Sequence, residues 1–96
     1  MYVLVTYDIS TESSEGRRRL SRVAKVCENY GLRVQNSVFE LSVKPDLWVK
    51  CKAELMREFN EKEDSLRFYY LGSNWRRRVE HVGVGSKLAV EGPLIL

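Results

Sequence analysis

The segment Tyr2-Val3-Leu4-Val5-Thr6-Tyr7 is β-branched, aromatic or aliphatic at odd and even positions alike, and it stops at Asp8. Side chains alternate across a strand, so apolar residues on both parities suit a central strand covered on at least one face. The rest of the chain must supply its neighbours. After a polar turn over Ser10 to Gly16, apolar side chains recur at Leu20, Val23, Ala24, Cys27 and Tyr30, the spacing of one helical face, and Gly31 stops the helix. Leu32 to Val43 reads as strand again, with Asn36-Ser37 either a tight turn between two strands or a bulge in one. Two strands is the reading taken. Pro45 and Asp46 open a second helix, with Asp46 the expected N-cap and Trp48, Cys51, Leu55 and Phe59 on its inner face. The charged stretch Asn60 to Asp64 ends it, and Leu66 to Leu71 forms an aromatic-rich strand closed by Gly72.

The resulting order, strand-helix-strand-strand-helix-strand, is that of an α+β ferredoxin-like domain. A chain of 96 residues has room for one core, so residues 1–96 are read as a single domain with its core in 1–72. A domain so small gains buried area by pairing with a second copy, which makes a homodimer the expected state. Beyond Gly72 the pattern is less regular: a basic segment, Asn74 to Val82, with some strand-like alternation, and a connector through Gly83 and Gly85. The apolar Pro93-Leu94-Ile95-Leu96 needs a sheet edge in this subunit or its partner, so 73–96 is assigned to dimerisation and an extra C-terminal strand.

Charge supports an anionic partner only weakly: 16 Lys and Arg stand against 13 Asp and Glu, a net charge of +3. Placement has to decide. Cys27 and Cys51 lack the spacing of a zinc or redox motif and are read as buried free thiols. The apolar start is too short for a signal peptide or a membrane span, which points to the cytoplasm and to no membrane partner. His81, the only histidine, is assigned to the surface, and no glycine loop has the strand-to-helix context of a nucleotide cradle.

Asp8 is the sharpest candidate for chemistry. A carboxylate at a strand end can hold Mg²⁺, which takes one or two protein carboxylates plus waters and phosphate oxygens; the bland alternative is a turn or helix-cap aspartate. Arg17, Arg18 and Arg19 open the first helix, where the dipole disfavours cations, so either phosphate contacts or a solvated basic turn would explain them. Arg76, Arg77 and Arg78 form a second cluster, and on a strand they would alternate between faces. Phe68, Tyr69 and Tyr70 could stack on bases, but strand aromatics are read first as packing.

Three segments taken together narrow the choice: Tyr7-Asp8-Ile9-Ser10, the arginine-rich helix, and the stretch from Tyr30 to Glu40 with its Val34-Gln35-Asn36-Ser37-Val38-Phe39-Glu40. Over nearly its whole length the chain resembles the family of CRISPR-associated protein two. The later Leu71-Gly72, Trp75, Val79-Glu80-His81 and Gly92 to Leu96 look most like its type I-C branch. That resemblance implies a homodimer, often with the last strand exchanged between subunits, and a part in acquiring new CRISPR spacers. It implies partnership with a CRISPR integrase in a heterohexameric adaptation complex that holds DNA. It also implies Mg²⁺-dependent (or Mn²⁺-dependent) endonuclease activity on single-stranded RNA or double-stranded DNA.

Position by position, the resemblance makes Asp8 the metal-binding and catalytic aspartate and Tyr7 its aromatic neighbour. Arg33 and Phe39 match positions implied in activity, and Arg17 to Arg19 carry over as phosphate contacts. The implied chemistry is attack of water, activated by Mg²⁺, on a phosphodiester. The competing reading is a scaffold that grips DNA and bridges integrase dimers without chemistry of its own. An RNA-recognition module is disfavoured because the third strand, Val38 to Val43, lacks the basic aromatic motif such modules carry.

Overall fold

In a computed structural model, which describes residues 1–83, the elements run β1 (Tyr2–Asp8), α1 (Ser14–Tyr30), β2 (Leu32–Gln35), β3 (Val38–Ser42), α2 (Pro45–Glu58), β4 (Ser65–Tyr70) and a one-turn helix α3 (Trp75–Arg78). The strands form one antiparallel sheet in the order β2-β3-β1-β4, so β1 is central, as its composition requires. This is the α+β ferredoxin-like arrangement. The extra strand expected from Pro93 to Leu96, and its exchange between subunits, lie outside the described residues.

The core shows which way β1 faces. Val3, Val5 and Tyr7 pack with Phe39 and Leu41 of β3 against Val23, Val26 and Cys27 of α1 and Trp48, Cys51 and Leu55 of α2. Strand alternation then sends Tyr2, Leu4, Thr6 and Asp8 to the opposite face, which neither long helix covers. Leu4 and Thr6 are half-buried there and Asp8 is exposed. Asn36 and Ser37 form the turn between β2 and β3.

Three local expectations are corrected. Helix α1 begins inside the stretch read as a polar turn, because the Ser13 hydroxyl accepts the Gly16 N–H at 3.1 Å and caps it. Helix α2 is preceded by Lys44, not capped by Asp46: Pro45 takes the first helical position, where its fixed φ and missing N–H cost least, and Asp46 falls within the first turn. Trp75 to Arg78 form a helical turn, not a strand. Gly72, at φ 76°, turns the chain out of the sheet, and the Trp75 ring then stacks on Tyr2 with centroids 4.0 Å apart.

Candidate functional site

Asp8 closes β1 opposite Ser65, the first residue of β4. Its carboxylate stands on the bare sheet face, and among the described residues it forms no ion pair. No cluster of three His, Cys, Asp or Glu able to hold a metal occurs among those residues, so one subunit does not build a complete protein cage for an ion. An exposed, unpaired carboxylate fits a hard cation such as Mg²⁺, whose remaining positions are filled by water and phosphate oxygens.

The three consecutive arginines of α1 have different fates. Arg17 and Arg18 are exposed. Arg17 reaches the Thr11 carbonyl at 3.3 Å, three residues beyond Asp8, which places the start of α1 at the Asp8 end of the sheet. Arg18 pairs with Glu15 at 3.1 Å, both side chains being 67% exposed. Such a surface pair is worth less than about 1 kcal/mol, so a phosphate can displace the glutamate. Arg19 corrects the expectation of a third phosphate contact. It is 8% exposed, and its guanidinium grips Asp64 through Nε to Oδ2 at 2.8 Å and Nη2 to Oδ1 at 3.2 Å. Position 19 lies on the buried side of α1, where a cation persists only with a partner. Burial alone would raise the Asp64 carboxyl, but Arg19 and the N–H groups of Asn60 and Ser10 outweigh it and hold it below the usual carboxylate range.

Tyr7 and Phe39 are core residues, stacked at 6.2 Å, and the Tyr7 hydroxyl donates to the Asn36 carbonyl. Arg33 covers the Phe39 ring at 5.0 Å and pairs with Glu28. These three join one another on the helix-facing side, away from the Asp8 carboxylate. Arg76 to Arg78 lie at the other end of β1, next to Tyr2: Arg76 stacks on Trp75 at 5.2 Å and Arg78 donates to the Leu71 carbonyl. Six residues of strand, about 20 Å, separate that end from Asp8, too far for one phosphate to touch both.

Residues 1–79 match the family model described as CRISPR associated protein Cas2. The chain belongs to the Cas2 family. It is 59% identical, over all 96 residues and the whole of the relative, to the CRISPR-associated endoribonuclease Cas2 of Chlorobaculum tepidum. It is 50% identical over 95 residues to the CRISPR-associated endonuclease Cas2 of Halalkalibacterium halodurans, covering 99% of each chain. The crystal structure of Streptococcus pyogenes Cas2 at pH 6.5 aligns with a TM-score of 0.75 and 59% identity over 86% of this chain and 100% of that one.

In this Cas2-family domain, two features at the Asp8 end escaped sequence reasoning. In the sequence Asp64 is only the last residue of the charged stretch that ends α2, yet its side chain is 0% exposed. Its partner could have been sought on α1, where Arg19 sits four residues before the buried Val23. Arg67 faces the same side of the sheet as Asp8, its guanidinium held by the Tyr69 hydroxyl at 3.0 Å. Only strand register distinguishes it from other exposed arginines.

Proposed function

We propose that this protein is a cytoplasmic, Mg²⁺-dependent endonuclease that acts as a homodimer on single-stranded RNA or double-stranded DNA and joins the CRISPR integrase in acquiring new spacers. The observation that carries the reading is the position of Asp8: exposed, without a cationic partner among the described residues, and on the sheet face that α1 and α2 leave bare. Pairing two such faces about a two-fold axis would bring two copies of Asp8 together and bury the half-apolar surface around Leu4 and Thr6. The names of the C. tepidum and H. halodurans relatives support the reaction class. Bound there, Mg²⁺ would neutralise phosphoryl charge and assist attack by water. Asp8 holds the ion, while Arg17 and Arg18 engage flanking phosphates. Among the described residues no cluster of three His, Cys, Asp or Glu surrounds the site to supply a general base, which predicts slow turnover.

Asp8→Asn should abolish cleavage of both RNA and DNA while leaving dimer elution and nucleic-acid binding intact. A variant that cuts like the parent would sink the assignment. The same poverty of catalytic groups favours a second reading, a DNA-gripping scaffold that bridges integrase dimers. Its exposed arginines lie near both ends of β1, as a surface tracking a duplex backbone requires. Reversing the charge of Arg17 and Arg18, or of Arg76 to Arg78, should then weaken DNA binding and reduce its salt slope by about 0.9 per lost phosphate contact. Spacer uptake that survives Asp8→Asn but fails on arginine reversal would select the scaffold.

A further inference from the structure

One carboxylate ties together the chain segments that meet around Asp8. Asp64 Oδ1 accepts the N–H of Ser10, two residues past Asp8, at 3.0 Å, and Oδ2 accepts the N–H of Asn60 at 2.9 Å. Arg19 reaches the same two oxygens from α1. The next residue along the chain, Ser65, is the β4 partner of Asp8. The same turn is pressed against α1, for a Cβ at Gly16 would stand 1.8 Å from the Ser10 carbonyl oxygen. The β1–β4 ladder already fixes the backbone up to Asp8. What the Asp64 bonds add is order immediately beyond it, where β1 ends and an exposed side chain would otherwise swing with its turn.

We propose that Arg19 and Asp64 are positioning residues for Asp8: their buried pair, anchored on Ser10, fixes the end of β1 so that the Asp8 carboxylate meets a divalent cation already ordered. This rests on reading Asp8 as a metal ligand. A cation that takes one carboxylate from each subunit has few other protein contacts to compensate for a ligand that wanders. Neither Arg19 nor Asp64 touches the ion, and both act through Asp8. Losing an outer supporting group of this kind typically costs about 10- to 100-fold in metal affinity.

The test is Mn²⁺ binding, followed by electron paramagnetic resonance, to the parent and to Asp8→Asn, Asp64→Asn and Arg19→Lys, with thermal unfolding of each to confirm the folded state at the working temperature. The parent should bind and Asp8→Asn should not. Folded Asp64→Asn should bind about 10- to 100-fold more weakly. Arg19→Lys, which keeps the charge but loses the two-point grip, should fall between them. If Asp64→Asn does not fold, Arg19→Lys decides by the same measure. A lower melting temperature with unchanged Mn²⁺ affinity would overturn the inference, leaving the pair a purely structural bond. Equal binding by Asp8→Asn and the parent would instead remove the metal-ligand reading itself, and the positioning role with it.

Discussion

Two carboxylates are shielded from water toward opposite ends of β1, and they are held in opposite ways. Asp64, beside the Asp8 end, accepts two bonds from Arg19 and one each from the Ser10 and Asn60 N–H groups. Glu40, toward the Tyr2 end, accepts one hydroxyl, that of Tyr2 at 3.0 Å. Burial pushes both carboxyls up. At Asp64 the donors win and the group sits below its ordinary range; at Glu40 burial outweighs Tyr2 and the His81 charge, and the group sits above it. Donor number and donor charge therefore decide the direction in which each shielded carboxyl is shifted. The end of the strand that carries Asp8 is the one held by a full ion pair.

The largest effect comes from breaking the stronger side of this contrast. Arg19→Met leaves the Asp64 carboxylate shielded and without its cation, which should lower the unfolding free energy by more than the loss of an exposed ion pair does. Arg19→Met combined with Asp64→Leu should recover most of that loss, because the orphaned charge goes with its partner. Urea unfolding of the two variants measures both terms. A single variant within 1 kcal/mol of the parent, on the order of an exposed ion pair, would mean that the bond is a surface contact.

Acid titration gives the next effect, with opposite signs at the two ends. The folded value of Asp64 lies below 3.8, so its stabilisation is complete above pH 3.8 and is lost as pH falls through the folded value. The folded value of Glu40 lies above 4.5, so its contribution is full below pH 4.5 and is lost as pH rises through the folded value. Asp64→Asn should therefore flatten the acid limb of the stability profile. Glu40→Gln, which keeps the shape without the buried charge, should match or exceed the parent at pH 7 and lose its relative advantage at pH 4. Denaturant midpoints across that interval separate the two, and profiles that respond alike would erase the contrast.

Much of this contrast was hidden in the sequence, for local reasons. The alternation in β1 told which residues could share a face, and Leu20, Val23 and Cys27 gave the inner side of α1, because both periods depend on the chain alone. The exposure of Asp8 at a strand end was legible for the same reason. Arg17, Arg18 and Arg19 look alike as letters; which one is buried depends on helical phase, and continuing the apolar stripe back from Val23 by four residues would have reached Arg19. Asp64 carries no comparable signal, since its partner is 45 residues away and meets it only when α1 packs beside the start of β4. Trp75 to Arg78 span one turn, too few residues to show a helical period, and what holds Trp75 is a stack on Tyr2 far back in the chain. Pairings made by the tertiary fold left no local mark, whereas periodic burial did.

The smallest perturbation extends the comparison to buried groups with no donor at all. Cys27 and Cys51 are both 0% exposed, and burial pushes their thiols up to about 12 and about 11. The thiolate is the reactive form, so neither cysteine should react with a disulfide reagent at pH 8 in the folded protein, and both should react in guanidinium. Their labelling rate then reports opening of the core between α1 and α2, independent of any event at Asp8. Arg19→Met should accelerate labelling in proportion to the stability it loses, whereas Glu40→Gln, which matches or exceeds the parent near neutral pH, should not accelerate it. Fast labelling of the parent at pH 8 would show that the core opens without unfolding, and the unequal grip on the two carboxylates would no longer account for where the fold is firm.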